Sequence, residues 1–148
     1  MQPILHLSIP VRDMHEARDF YVNVLGCQAA RVGSDFTDVW FYGMQVTLQD
    51  RPDEVAAASP RGCRHFGVTL GRDEFDAIVA RVGALGVDWV SAVSTDHEGI
   101  ATEQTKGKIA DPSGNVIELK TYRDVEAALE TALETSPHSY PERLSHGN

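Results

Sequence analysis

The chain has 148 residues, of which 42% are hydrophobic and 24% charged, and its formal net charge is −9. This composition is typical of a folded soluble protein, and the length fits one compact domain. The acidic balance argues against nucleic acids and anionic membranes as partners, because both bind basic surfaces. No apolar run reaches the roughly 20 residues that a membrane-spanning helix needs. The N-terminal residues are not expected to form a signal peptide, because they lack a basic region, and Cys27 and Cys63 form no CxxC pair, so a cytoplasmic, reducing location is expected.

The first half of the chain predicts a strand, a helix and three further strands. Residues Pro3–Val11 alternate between apolar and more polar side chains, as in a strand with one buried face. Asp13 is a suitable N-cap for a helix over residues 14–25, and Gly26 is a suitable residue to end it. The three strands that follow are predicted at Cys27–Val32, Phe36–Tyr42 and Gln45–Gln49.

The second half repeats this order after a polar connector, residues 51–63. Its predicted elements are strand Arg64–Leu70, helix Arg72–Leu85 and strands Val87–Val93, Gln104–Ala110 and Asn115–Tyr122. The sequence therefore predicts an α+β fold in which two βαβββ modules, residues 1–50 and 64–122, form a curved mixed sheet around a cleft. A short helix and a polar tail are expected in residues 123–148.

A glutamate in the last predicted strand points to metal chemistry. Alternation places Glu118 on the face opposite to Ile117 and Leu119, and a buried carboxylate needs a partner or a cation. His6 and His65 open the two halves of the chain and also fall on the polar faces of their strands. Two histidines and one glutamate form a facial set of ligands that leaves coordination positions open for substrate. Structural zinc sites use four protein ligands, so three ligands indicate catalysis.

Two segments, HLSIPVRDMHEARDFYVNVLG and DPSGNVIELK, resemble signatures of the vicinal oxygen chelate superfamily. This superfamily includes glyoxalase I, fosfomycin-resistance and bleomycin-resistance proteins, extradiol dioxygenases and methylmalonyl-CoA epimerase. The resemblance spans residues 3–122 and implies His6, His65 and Glu118 as ligands of a divalent metal, with Fe, Mn, Ni, Co and Zn all open. It also implies a small-molecule substrate and a homodimer, in which each site is often built from both chains.

The chain departs from the superfamily at two positions. Members with four protein ligands carry another ligand on the last strand of the first module, where this chain has Thr47. The chain therefore resembles the three-ligand members, and Thr47 becomes a candidate substrate contact. Ring-cleaving and fosfomycin-modifying relatives tend to have a tyrosine where this chain has Lys108, which is a candidate to orient an anionic oxygen or to act as an acid. His97, in the loop before the seventh strand, is a candidate proton shuttle.

Three further residues are candidate substrate contacts, and the reaction stays open. Ser8 lies two positions beyond His6, and Trp40 and Tyr42 share one face of the third strand. The leading hypothesis is a metal-dependent enzyme acting on a small oxygenated metabolite, either a ring-cleaving dioxygenase or a lyase/isomerase of the glyoxalase type. The alternative is a non-catalytic binding protein similar to bleomycin-resistance proteins. A structural metal is a third possibility, and it predicts that chelation unfolds the protein.

Overall fold

The structure, a computed structural model, describes residues 3–57, 63–125 and 128. Its first module contains β1 (Leu5–Val11), α1 (Met14–Asp19), a π-helical turn (Phe20–Val24), β2 (Gln28–Val32), β3 (Phe36–Phe41) and β4 (Met44–Asp50), followed by a 3₁₀ turn (Pro52–Glu54). Its second module contains β5 (Phe66–Thr69), α2 (Arg72–Ala84), β6 (Trp89–Asp96), β7 (Gln104–Ala110) and β8 (Val116–Tyr122). The predicted order of elements is confirmed in both modules.

Each module forms its own four-stranded mixed sheet. The strand order is β1-β4-β3-β2 in the first sheet and β5-β8-β7-β6 in the second. The opening strand of each module pairs in parallel with the closing strand, and the other pairs are antiparallel. The second sheet thus repeats the first, which confirms the α+β fold with duplicated βαβββ modules. Within the part of the chain that the structure describes, the two sheets are not closed into one.

The first helix begins as the sequence predicts and ends differently. The side chain of Asp13 accepts hydrogen bonds from the backbone amides of His15 and Glu16 at 2.8 and 2.9 Å, as an N-cap does. The last turn widens into a π-helix, with the amide of Leu25 bonded to the carbonyl of Phe20, five residues earlier. Three residues of this turn, Phe20, Tyr21 and Val24, are buried in the core.

One apolar core joins the two modules. It includes Tyr21 and Leu25 from the helical segment of the first module together with Phe75 and Ile117 from the second, all with at most 1% of their surface exposed. Aromatic rings also meet across the modules, with the ring centroids of Phe41 and Phe66 5.5 Å apart. Burial on this scale is the main stabilising term of a domain. The modules therefore fold around a shared apolar layer, and the polar faces of their sheets lie outside it.

The turn before β8 holds a buried carboxylate. Asp111, which is 3% exposed, accepts hydrogen bonds of 2.8 Å from the backbone and the side-chain amides of Asn115. It accepts a third, of 3.2 Å, from the hydroxyl of Tyr21 in the other module. Burial raises the pKa of Asp111 above its usual value, although these donors oppose the shift. Burial, followed by the nearby Asp111 carboxylate, raises the pKa of Tyr21 well above its usual value.

The same turn is bonded to the end of β1. The amide of Arg12 donates to the Ser113 hydroxyl at 2.7 Å, and the side chain of Asn115 donates to the carbonyl of Pro10 at 3.1 Å. Ser113 is almost fully buried. The Asp-Pro-Ser-Gly-Asn segment therefore does more than turn the chain into β8, because it also fixes the second module against the first.

Element boundaries differ from the predictions by a few residues. β3 ends at Phe41, one residue before the predicted Tyr42, and β5 begins at Phe66, so His65 precedes the strand that was predicted to contain it. The helix and polar tail predicted in residues 123–148 lie largely outside the described residues. In the described ranges, no helix combines the length and the apolar character needed to cross a membrane.

Candidate metal-binding site

Two of the three predicted ligands lie side by side at the second sheet. Glu118 is in the middle of β8, and His65 comes just before β5, the strand that pairs with β8. The Nε2 atom of His65 is 3.8 Å from Oε2 of Glu118. Gly67 is the register partner of Glu118, and a Cβ atom there would lie 2.1 Å from the Glu118 carbonyl oxygen. Glycine at this position therefore permits the close approach of the two strands beside the site.

A backbone carbonyl selects the state of the His65 ring. The Nδ1 atom of His65 lies 2.7 Å from the carbonyl oxygen of Cys63. A carbonyl oxygen only accepts hydrogen bonds, so Nδ1 carries the hydrogen, and Nε2 of the neutral ring keeps its lone pair on the side of Glu118. Metal-binding histidines commonly donate their second ring nitrogen to a carbonyl in this way. An imidazole nitrogen next to a carboxylate oxygen is a donor pair that fits a divalent cation.

The carboxylate of Glu118 is largely buried and surrounded by cationic groups. Its side chain is 14% exposed, and Nζ of Lys120 and Nζ of Lys108 lie 3.2 and 3.9 Å from its oxygens. A surface pocket of about 270 Å³ beside it is lined by residues of β5 together with His65, Glu118 and Lys120. The positive charges of the two lysines offset the free-energy cost of burying the carboxylate within a largely apolar strand.

The third predicted ligand lies on the other sheet. His6 is exposed on β1, where its register partner is Gln45 of β4. Among the described residues, no group of three His, Cys, Asp or Glu side chains is close enough to hold a metal ion. One chain thus brings His65 and Glu118 together and leaves His6 apart from them.

The polar face of the first sheet is organised by Asp38, for which strand alternation left cleft lining and packing both open. Asp38 is 2% exposed and accepts hydrogen bonds from Thr47 at 2.6 Å, Gln45 at 3.0 Å and Arg31 at 3.1 Å. Burial alone would raise its pKa, but the hydrogen bonds from Thr47, Gln45 and Arg31 outweigh burial and hold it below the usual value. The Thr47 hydroxyl, a predicted substrate contact, is therefore a donor within this network. In the register of β3 with β4, Asp38 is the direct partner of Thr47, and strand alternation alone does not predict this pairing.

We expect Asp38→Asn to destabilise the fold by about 1–2 kcal/mol at pH 7, because an amide group would face donors that now bond a carboxylate. The pKa of the wild-type Asp38 carboxylate is lowered in the folded state. Its contribution to the free energy of unfolding is therefore complete at a pH above the pKa of the unfolded chain, and it is lost as the pH falls through the pKa of the folded protein. The difference between wild type and variant in urea unfolding should therefore shrink under acidic conditions. A difference that grows in acid would contradict this assignment.

The other predicted substrate contacts lie on the first module. The Ser8 hydroxyl accepts a 2.6 Å hydrogen bond from the side chain of Gln49, and Trp40 is 38% exposed. Tyr42 sits in the turn after β3 with φ of 48°, and its hydroxyl donates to the carbonyl of Leu25 at 2.6 Å. Burial raises the pKa of Tyr42 to about 12. The structure thus gives the Ser8 and Tyr42 hydroxyls partners within the chain, and the substrate contacts of all three residues stay predictions.

His97 follows β6 in an exposed turn. Its φ is 57°, a left-handed conformation that is uncommon outside glycine but that asparagine, aspartate and histidine adopt more often than other residues. The ion pair between Lys106 and the preceding residue, Asp96, has an N–O distance of 2.8 Å and lies next to this turn. The proton-shuttle role of His97 stays a prediction.

A family model described as the Glyoxalase/Bleomycin resistance protein/Dioxygenase superfamily matches residues 3–119. The chain belongs to this superfamily. The match confirms the resemblance found in the first-strand and last-strand segments. Superfamily members include metalloenzymes and also non-catalytic proteins, so membership alone leaves the activity open. No protein with a curated description matches the chain.

Solved structures agree with the superfamily fold. A glyoxalase/bleomycin resistance protein/dioxygenase from Alicyclobacillus acidocaldarius is 34% identical, with a TM-score of 0.70 over 84% of this chain and 95% of that one. The fosfomycin resistance protein FosX from Listeria monocytogenes is 17% identical, with a TM-score of 0.69 over 86% and 98% of the two chains. A lactoylglutathione lyase from Agrobacterium tumefaciens is also 17% identical, with a TM-score of 0.58 over 82% and 94%. The last two likenesses concern the fold.

Proposed function

We propose that this superfamily member is a divalent-metal-dependent enzyme that acts on a small oxygenated metabolite. His65 and Glu118 of one chain, together with His6 of a second copy, are the proposed ligands. The observation that carries the proposal is the placement of the His65 ring, whose Nδ1 lies 2.7 Å from the Cys63 carbonyl oxygen while Nε2 lies 3.8 Å from the Glu118 carboxylate.

The position of His6 supports a site shared between two copies. It lies on β1, which is an edge strand of the first sheet, and it is exposed. Large apolar side chains beside it are exposed as well, with Ile4 at 50% and Leu5 at 74%. Apolar surface at an edge strand is costly in an isolated chain and is commonly covered by a partner. A homodimer would bury this edge and bring His6 to the second sheet of the other copy.

The residues of this chain then have distinct tasks. A bound divalent metal would polarise substrate oxygens and stabilise negative charge that develops on them. His65 and Glu118 hold the metal, and the Cys63 carbonyl keeps the His65 ring in the ligating orientation. Lys108, 3.9 Å from Glu118, is positioned to bind a substrate oxygen at the same face. Both ring cleavage by a dioxygenase and a lyase or isomerase reaction of the glyoxalase type are compatible with these tasks.

A second candidate function, metal-independent binding of a small molecule, is favoured by one observation. A cleft of about 400 Å³ opens between the modules beside His65, and most of its lining is apolar, including Leu7, Ile9, Phe66 and Val116. Apolar clefts with a few polar groups are typical binding sites for small ligands. Ligand binding that is unchanged after removal of metal would favour this candidate over the enzyme.

A mixed-dimer experiment tests the shared site. His6→Ala and Glu118→Gln should each abolish tight metal binding in their own homodimers. When the two variants are mixed, unfolded and refolded together, each heterodimer should contain one intact site, so about one quarter of the wild-type metal-binding capacity should return. A site built within one chain predicts no recovery, and that result would refute the shared arrangement while leaving metal dependence standing.

A further inference from the structure

All three lysines of the chain lie on one face of the second sheet. The sequence contains Lys106, Lys108 and Lys120 and no other lysine, although its net charge is −9. Lys106 and Lys108 alternate on β7, and Lys120 is on β8. The register pairs Lys108 with Glu118 and Lys106 with Lys120. An acidic chain therefore concentrates its lysines around its proposed metal ligand.

Two of these lysines converge on Glu118, and the third does not. The Nζ atoms of Lys108 and Lys120 lie 3.9 and 3.2 Å from the Glu118 carboxylate, and their side chains are 32% and 25% exposed. Lys106 is bonded instead to Asp96, at 2.8 Å. In the described part of the chain, Glu118 is the only carboxylate within 4 Å of either converging lysine.

We infer that Lys108 and Lys120 form a clamp for an anionic group of the substrate, a phosphate, phosphonate or carboxylate. This inference rests on the proposed function and names the substrate class of the same site. When His65 and Glu118 bind a divalent cation, the Glu118 carboxylate neutralises the cation and no longer neutralises the ammonium groups of Lys108 and Lys120. The face then carries an excess of positive charge, and an oxyanion satisfies both lysines at close range. Neutral substrates would leave this charge uncompensated.

The lysines also compete with the metal for Glu118, so their removal should have two opposite effects. In Lys108→Met and Lys120→Met, we expect the affinity for Mn²⁺ or Zn²⁺ to rise about two- to fivefold, as expected for loss of a partly exposed ion pair. We expect the affinity of the metal-loaded protein for an anion to fall about tenfold, because a charge-assisted contact is lost. Lys106→Met removes the same charge from the same face and serves as the control, with both affinities within about twofold of wild type.

Circular dichroism first shows that each variant is folded. Inorganic phosphate, methylphosphonate and acetate are then titrated calorimetrically into wild type and the three variants at constant ionic strength. Tighter phosphate or phosphonate binding assigns a phosphorus-containing substrate, and tighter acetate binding assigns a carboxylate. Equal weakening in all three variants would mean that only the overall charge matters, and would overturn the clamp. The absence of anion binding in wild type would also overturn it. Failure of wild type to bind metal would refute the proposed function instead, and the metal titration reports that outcome separately.

Discussion

Glu118→Gln is expected to weaken divalent-metal binding by at least about 100-fold, because a neutral amide replaces an anionic ligand. Mutation of residues that only orient a metal ligand already weakens metal binding by about 10- to 100-fold, and loss of the ligand itself should cost more. The side chain keeps its size, so β8 and its pairing with β5 should be retained. Metal content after purification without chelator, measured by inductively coupled plasma mass spectrometry, gives the first readout, and competition with a fluorescent chelator gives the affinity. His65→Ala should show a comparable loss.

Glu16→Gln is the matched control for this experiment, because it removes the same charge from an exposed position in the first turn of α1. Its metal affinity should equal that of wild type. Thermal unfolding of wild type with and without metal separates a catalytic from a structural role. If the metal is catalytic, chelation should abolish activity while the protein stays folded. If the metal is structural, chelation should unfold the protein. Unchanged metal affinity in Glu118→Gln would refute the proposed metal site.

Asp111→Ala is expected to destabilise the protein by about 3 kcal/mol, the second large effect, because it leaves buried donors of Asn115 and Tyr21 without an acceptor. The site of damage is the joint between the modules, where Tyr21 and Asp111 are 90 residues apart in sequence. Urea unfolding followed by both far-ultraviolet circular dichroism and tryptophan fluorescence measures the change. Asp35→Ala is the control, since Asp35 is half exposed and paired with the exposed Arg51, and it should cost less than about 0.5 kcal/mol.

The pH dependence of this difference has a definite sign. The pKa of Asp111 is raised in the folded state, so the folded protein binds its proton more tightly than the unfolded chain does. The contribution of Asp111 to the free energy of unfolding therefore falls as the pH rises from 3.8, the pKa in the unfolded chain, through the raised pKa of the folded protein. Above that pKa the contribution is constant. The gap between wild type and Asp111→Ala should widen toward acidic pH. A gap that narrows there would contradict a pKa of Asp111 that burial has raised.

Much of the fold follows from local patterns. Alternation of apolar side chains placed Ile117 and Leu119 in the core and Glu118 outside it, because successive side chains of a strand point to opposite faces. Asp13 and Gly26 marked the limits of the first helical segment for equally local reasons, a side-chain cap and a left-handed backbone with φ of 78°. These features need no knowledge of distant residues, and the structure confirms them.

The candidate site was only partly accessible in this way. Strand alternation selected His6, His65 and Glu118 because all three were predicted on polar strand faces. That prediction assumed that the polar faces of the two sheets line one cleft. The structure instead joins the modules through their apolar layer, so His65 and Glu118 lie next to each other at the second sheet and His6 lies on the first. Likewise, the roles of Asp38 and Thr47 depend on cross-strand register, which fixed a 2.6 Å hydrogen bond between them.

The sequence by itself therefore determined the order of elements, the duplicated modules and the strand face on which Glu118 lies, since these depend on contacts within a few residues. Only the tertiary structure decided which ligands one chain brings together, how Lys108 and Lys120 converge on Glu118, and how Asp111 joins the modules. Those features depend on the register between strands and on how two apolar faces are buried against each other. That packing is a property of the whole chain, and no local pattern encodes it.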